Sequence, residues 1–156
     1  MDSRTISTIA GAAGAAALTL AHETGRRLFD DAPRLDVLGE RAIAAARAGL
    51  GAGTTNRATL HQHALLGDLV ANAMYYAMVG TGPSAQVWGR GLALGLAAGV
   101  GAITLPEPLG LEDPRATESP RTRALAITYY VIGGLAAAAT VNALQARQQP
   151  SGARAR

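Results

Sequence analysis

The segment Gly89–Leu105, GRGLALGLAAGVGAITL, constrains the fold more than any other part of the chain. Its glycines Gly91, Gly95 and Gly99 recur at every fourth residue, which places them on one side of an α-helix. In water this helix would be poor, because each interior glycine costs about 1 kcal/mol relative to alanine. In a bilayer the backbone satisfies its own hydrogen bonds, and small residues let a neighbouring helix approach closely. The segment therefore predicts a membrane-buried helix against which other helices pack.

Four blocks of the sequence are almost free of charge, namely residues 6–21, 64–80, 91–105 and 124–144, with Asp68 as the exception. With their flanks they approach the roughly 17–25 residues that cross a bilayer as a helix. A soluble alanine-rich bundle is the alternative. It would need a charged face at the helical period on each helix, and these blocks have none.

We therefore predict an all-α fold: an integral membrane bundle of four transmembrane helices with a short amphipathic interfacial helix between the first and second. The bundle forms one domain over residues 1–147, and a polar, basic tail covers 148–156. The predicted spans are residues 5–27, 56–80, 85–105 and 120–146. Ser84 and Ser119 are the expected caps of the third and fourth spans.

The interfacial helix is predicted at about residues 33–48, where leucines and alanines fall on one side and arginines on the rest. Such a pattern suits a helix lying at the membrane surface, and packing against a soluble partner is the alternative. The basic residues expected at the interface are Arg26, Arg27, Arg34, Arg41 and Arg47.

Arginine is concentrated in the first and third connections between the predicted spans. By the positive-inside tendency, these connections face the cytoplasm and both termini face the periplasm of a bacterial inner membrane. The net charge of +3 is not interleaved with aromatic residues, so no nucleic-acid partner is expected. Lipid head groups, especially anionic ones, are the expected counterpart of the arginines.

No metal site or cofactor is predicted. The chain has no cysteine, which excludes disulfides and cysteine-ligated metals. A pigment or haem contact through His22 or His61 is the alternative to an ordinary head-group contact for these residues.

A polar stripe of four residues, His61, Asp68, Asn72 and Tyr75, lies on one face of the second predicted span. A carboxylate at this depth is costly unless it is paired or protonated. In one interpretation His61 and Asp68 pass a proton, while Asn72 and Tyr75 orient the path. In the other, Asp68 pairs with an arginine near the interface, Arg26 or Arg27, and fixes the register of the helices.

Three segments resemble an uncharacterised group of small bacterial four-helix membrane proteins. They are HETGRRLFDDAPRLDVLGERAI (His22–Ile43), GDLVANAMYY (Gly67–Tyr76) and LPEPLGL (Leu105–Leu111), about a quarter of the chain. The resemblance implies a fold and no activity. It also implies that the first connection has a role beyond joining two helices.

The sequence contains no nucleophile elbow, phosphate loop or pair of catalytic carboxylates, so no enzymatic activity is predicted. The leading hypothesis is a small accessory or structural subunit of a larger membrane complex, with photosynthetic and respiratory complexes as the candidate class. The alternative is a homo-oligomeric proton- or ion-coupled transporter that uses the polar stripe, and a lipid-interacting enzyme is a third. The residues expected to pack helices closely are Gly91, Gly95, Gly99, Gly133 and Gly134.

Overall fold

The computed structural model describes residues 1–51, 56–111 and 119–148, and within these ranges the secondary structure is helical, with no strand. The prediction of an all-α fold is confirmed. The predicted tail lies, beyond Gln148, outside the described residues. The helices are α1 (Ser3–Leu28), α2 (Leu35–Gly49), α3 (Arg57–Ala77), α4 (Val87–Thr104) and α5 (Pro120–Ala146). Two short 3-10 turns, Met78–Gly80 and Ser84–Gln86, connect α3 to α4.

Three of the long helices begin at a side-chain cap: α1 at Asp2, α3 at Asn56 and α5 at Ser119. The Asp2 carboxylate accepts a backbone N–H at 2.7 Å, and this bond lowers the pKa of the exposed carboxyl. The expected cap at Ser84 was wrong. Ser84 begins a 3-10 turn, and Gln86, at the N-cap position of α4, makes no capping bond with its side chain.

The long helices form a bundle in which α5 packs on both α1 and α4, α1 also packs on α3, and α2 packs on α3. At one end, the Thr122 hydroxyl of α5 donates to the Asp31 carbonyl at 3.1 Å, joining α5 to the connection after α1. At the other end, Gly80 of the α3–α4 connection packs against Ser7 of α1. The first and third connections therefore share one end of the bundle, and the α3–α4 connection lies at the other.

The glycines at 91, 95 and 99 face α5 at very short range. A Cβ added at Gly95 would lie 2.7 Å from the Val131 Cα, and one at Gly99 would lie 2.7 Å from the Ile127 Cα. Gly91 is also buried, with the backbone of α5 close enough to exclude a side chain. Because the obstructing atoms belong to the backbone, rotation of a side chain cannot relieve the contact.

Two tyrosines of α3 fill the middle of the bundle. The Tyr76 hydroxyl donates to the Tyr130 carbonyl of α5 at 2.7 Å, and the Tyr75 hydroxyl donates to the Leu94 carbonyl of α4 at 2.9 Å. Tyr76 is fully buried, and Gly133 lies against its ring. The two hydroxyls therefore join α3 to both helices of the α4–α5 pair.

Three helices of the described part, α1, α4 with its preceding 3-10 turn, and α5, are long and apolar enough to cross a membrane. The chain thus has the character of a membrane protein. The prediction was four such helices, and α3 is not among the three found. Its 21 residues are sufficient in length, but its hydropathy is lowered by a set of polar residues: His61, Gln62, His63, Asp68 and Asn72.

The Arg90 side chain forms hydrogen bonds to the connection between α3 and α4. Its Nε and Nη2 donate to the Val79 carbonyl at 3.1 and 3.0 Å, and its Nη1 donates to the Pro83 carbonyl at 2.8 Å. One planar guanidinium therefore satisfies two loop carbonyls at once, a geometry that the single ammonium of lysine does not reproduce.

We expect Arg90→Lys to lower the stability of the protein by about 1–2 kcal/mol, because bonds from a charged donor to the loop carbonyls are lost. The measurement is thermal or denaturant unfolding of the purified protein in detergent. The exposed Arg4 provides the control, since Arg4→Lys makes the same chemical change at the surface. Equal stability of the two variants would contradict the role assigned to Arg90.

Candidate functional site

A partly open cleft of about 260 Å³ lies between α1 and α3, next to α2. Its apolar lining comes from three helices and comprises Leu18, Ala64, Leu65, Leu66, Leu69 and Tyr130. Its ionisable lining comprises His22, Glu23, Arg26, His61 and Asp68. The cleft is thus a mainly apolar space whose ionisable groups come from the end of α1 and from α3 between its first turns and its middle.

Asp68 lies near the middle of α3 and is bonded to Asn72, one turn further on. The Asn72 amide donates to the Asp68 Oδ1 and to the Asp68 backbone carbonyl, both at 2.9 Å. Among the residues described, no cationic group forms an ion pair with the Asp68 carboxylate. The carboxylate therefore receives one neutral side-chain donor and forms no ion pair within the described part of the chain.

His61 is held by Glu40 of α2, with the imidazole Nδ1 donating to the Glu40 Oε1 at 2.6 Å. The same two helices also meet at Gly67 of α3, which faces the end of the Ile43 side chain. In a neutral imidazole this arrangement leaves the Nε2 of His61 as the acceptor nitrogen. Glu40 and His61 thereby fix α2 beside the cleft.

His22 points back to the connection that follows its own helix. Its Nε2 donates to the Pro33 carbonyl at 2.8 Å, and its ring lies 6.1 Å from that of Tyr129. His22 and His61, the two histidines named as alternative pigment or haem contacts, therefore each have one ring nitrogen engaged by the protein.

The arginines named in the second interpretation of Asp68 lie close to another acid. Arg27 Nη2 is 3.0 Å and Arg26 Nη1 is 3.9 Å from the Glu23 carboxylate, within the same stretch of α1. The other predicted interfacial arginines are at the start of α2 (Arg34) and along it (Arg41, Arg47). Arg26 and Arg27 lie in the last turn of α1, at the end of the bundle that carries the first connection.

The structure brings together part of the predicted polar stripe. Asp68 and Asn72 are bonded, whereas His61 bonds to α2 and Tyr75 to α4. His61 and Asp68 line the same cleft without a direct bond between them in the described contacts. The partner of His61, Glu40, was missed, since it lies 21 residues away in sequence and no local spacing relates the two.

A second feature that the sequence did not indicate is the environment of Tyr129. Its side chain is buried, and its hydroxyl makes no hydrogen bond within the described part of the molecule. The hydroxyl lies against Gly25 of α1, at a point where any side chain would collide with it. Gly25 lies in α1 outside any regular glycine repeat. The sequence pattern therefore does not indicate that Gly25 packs against another helix.

The described residues contain no group of three or more His, Cys, Asp or Glu side chains able to hold a metal ion. Comparison of the chain with protein-family models, with curated proteins and with solved structures finds no match.

Proposed function

We propose that this protein is a non-enzymatic accessory subunit of a larger membrane complex, of the photosynthetic or respiratory type, in the bacterial inner membrane. In this proposal all four long helices cross the bilayer and both termini face the periplasm. The arginines at the opposite end of the bundle support this orientation, since basic residues concentrate on the cytoplasmic side.

The proposal that α3 crosses the membrane is supported by its short connection to α4. The two helices are joined by six residues of turn and loop between Met78 and Pro83 and by the 3-10 turn that starts at Ser84. With so short a connection they run antiparallel and pass through the same layer. The 21 residues of α3 span about 31 Å at about 1.5 Å per residue, close to the thickness of the hydrocarbon core of a bilayer.

The observation that supports an accessory subunit is the outer face of α3. It consists of Leu66, Val70 and Met74, which recur every four residues and are 62%, 56% and 71% exposed. Yet α3 is the long helix that fails to meet the hydropathy of a membrane span. A helix of this composition gains more from a protein neighbour than from lipid alone, because a neighbour can also satisfy polar groups. We infer that a partner subunit packs on the outer face of α3.

A transporter is the second candidate, and one observation favours it. Asp68 lies in a cleft at mid-helix without an ion pair among the described residues, as expected of a group that exchanges a proton or an ion. Four short helices offer no obvious internal repeat, so this candidate requires at least a dimer of the chain.

The test is site-specific crosslinking in native membranes. A photoreactive residue at Val70, on the outer face of α3, is expected to give one recurrent heavier product that contains a different protein. The same residue at Leu96, exposed on α4, is the matched control and is expected to give lipid adducts without that product. A product at Val70 that is twice the mass of the chain would favour the homo-oligomeric transporter. The absence of any protein product at Val70 would contradict both candidates.

A further inference from the structure

We propose that the cleft between α1 and α3 binds a lipophilic organic cation, with the positive charge of the ligand placed at the Asp68 carboxylate. This binding site is independent of the accessory-subunit proposal, because it uses the cleft and not the outer face of α3. The ligand class follows from the charges, the lining and the size of the cleft.

The charges in the cleft leave Asp68 as the acid without a counter-ion. Glu23, which also lines the cleft, lies 3.0 Å from Arg27 and 3.9 Å from Arg26, the arginine of the lining. Beside the cleft, the Glu40 carboxylate is bonded to His61 at 2.6 Å. Asp68 receives the Asn72 amide at 2.9 Å and no described ion pair. An acid that lies beside apolar side chains and forms no ion pair is stabilised by an opposite charge, so the Asp68 side of the cleft is complementary to a positive charge.

The lining indicates what must carry that charge. The walls near Asp68 are apolar side chains, among them Leu18, Ala64 and Leu69. A small inorganic cation needs several oxygen ligands to replace its water, and the described residues offer no group of three metal-binding side chains. A cation whose charge is carried within an apolar body needs no such ligands and is also stabilised by the walls.

The volume and the setting limit the size and origin of the ligand. A cleft of 260 Å³ is slightly smaller than the roughly 300–1,000 Å³ of usual ligand pockets, so it accommodates a compact group. The cleft is partly open and is bordered by exposed leucines of α3, Leu65 and Leu66. A ligand that partitions into the bilayer can therefore enter from the side.

Two probes of the same shape and opposite charge provide a direct test. Tetraphenylphosphonium is the cation and tetraphenylborate the anion, each titrated into the full chain in neutral detergent at about pH 8, at which histidine is ordinarily uncharged. Saturable binding is measured by equilibrium dialysis against protein-free micelles. We expect saturable binding of the cation and only non-saturable partitioning of the anion. Equally tight, saturable binding of both probes would overturn the proposal.

Variants then locate the charge that the probe contacts. Asp68→Asn keeps the shape of the side chain, and we expect it to weaken binding of tetraphenylphosphonium by about tenfold or more. Asp68→Glu retains the charge and is expected to retain saturable binding. Asp30→Asn makes the same change at an exposed position outside the cleft and should leave the affinity unaltered. Unchanged affinity in Asp68→Asn would overturn the proposal. If that variant fails to fold, the two probes on the wild-type protein and the Asp68→Glu variant still decide the matter.

Discussion

Replacement of Gly95 by leucine is expected to separate α4 from α5 and to lower stability by about 3 kcal/mol or more. The reason is geometric: a Cβ at Gly95 would lie 2.7 Å from the Val131 Cα and 2.9 Å from the Tyr130 carbonyl oxygen. Both atoms belong to the backbone of α5, so the whole helix must move to admit a side chain. The measurement is unfolding of the purified protein in detergent, followed by the loss of helical circular dichroism.

Gly89 provides the matched control, since it lies six residues earlier on α4 and a Cβ there would meet nothing within 4 Å. Gly89→Leu is expected to leave stability unchanged or to raise it by up to about 1 kcal/mol, because leucine has the higher helix propensity. If the two leucine variants were equally stable, α4 and α5 would not pack as described.

Replacement of Tyr76 by alanine is expected to cost about 3–5 kcal/mol, as for other large buried aromatic side chains. Tyr76 is fully buried between helices, and Gly133 lies against its ring. Truncation would leave a cavity where α1, α3 and α5 meet. The same unfolding measurement applies.

Tyr76→Phe separates the packing of the ring from the hydrogen bond of the hydroxyl to the Tyr130 carbonyl, which is 2.7 Å long. We expect this variant to lose only about 0.5–1.5 kcal/mol, because the carbonyl also accepts a bond within its own helix. A loss in Tyr76→Ala no larger than that in Tyr76→Phe would show that the ring is not part of the core.

The helical class and the close contact of α4 with a neighbouring helix could be predicted because both depend on local periodicity. Charge-free blocks indicated the long helices, and their observed ends lie within a few residues of those expected. Glycines at every fourth residue indicated which side of α4 would meet a neighbour. A residue type that recurs at the helical period lies on one face of the helix. When that residue is glycine, the face has no side chains and a neighbouring helix can pack closely against it.

The partners of the polar residues could not be predicted in the same way. Asp68 was given two interpretations, in one of which it paired with Arg26 or Arg27, whereas both arginines lie close to Glu23. The bond from His61 of α3 to Glu40 of α2 joins residues 21 positions apart in the sequence. Such pairings depend on how the helices are arranged in space. That arrangement cannot be deduced from the separation of the residues along the chain. The hydropathy of α3 is low for a simpler reason: His61, Gln62 and His63 precede its charge-free block within the same helix.

The guanidinium of Arg90 has a consequence for how the chain enters a bilayer. By holding the Val79 and Pro83 carbonyls, it fastens the turn that joins α3 to α4. Under the proposed topology, α3 lies below the hydropathy of a membrane span, whereas α4 with its preceding 3-10 turn reaches it. A hairpin with a fastened turn is transferred as one unit, so the favourable transfer energy of the second helix offsets the unfavourable one of the first. Biogenesis and final architecture would then depend on the same three hydrogen bonds.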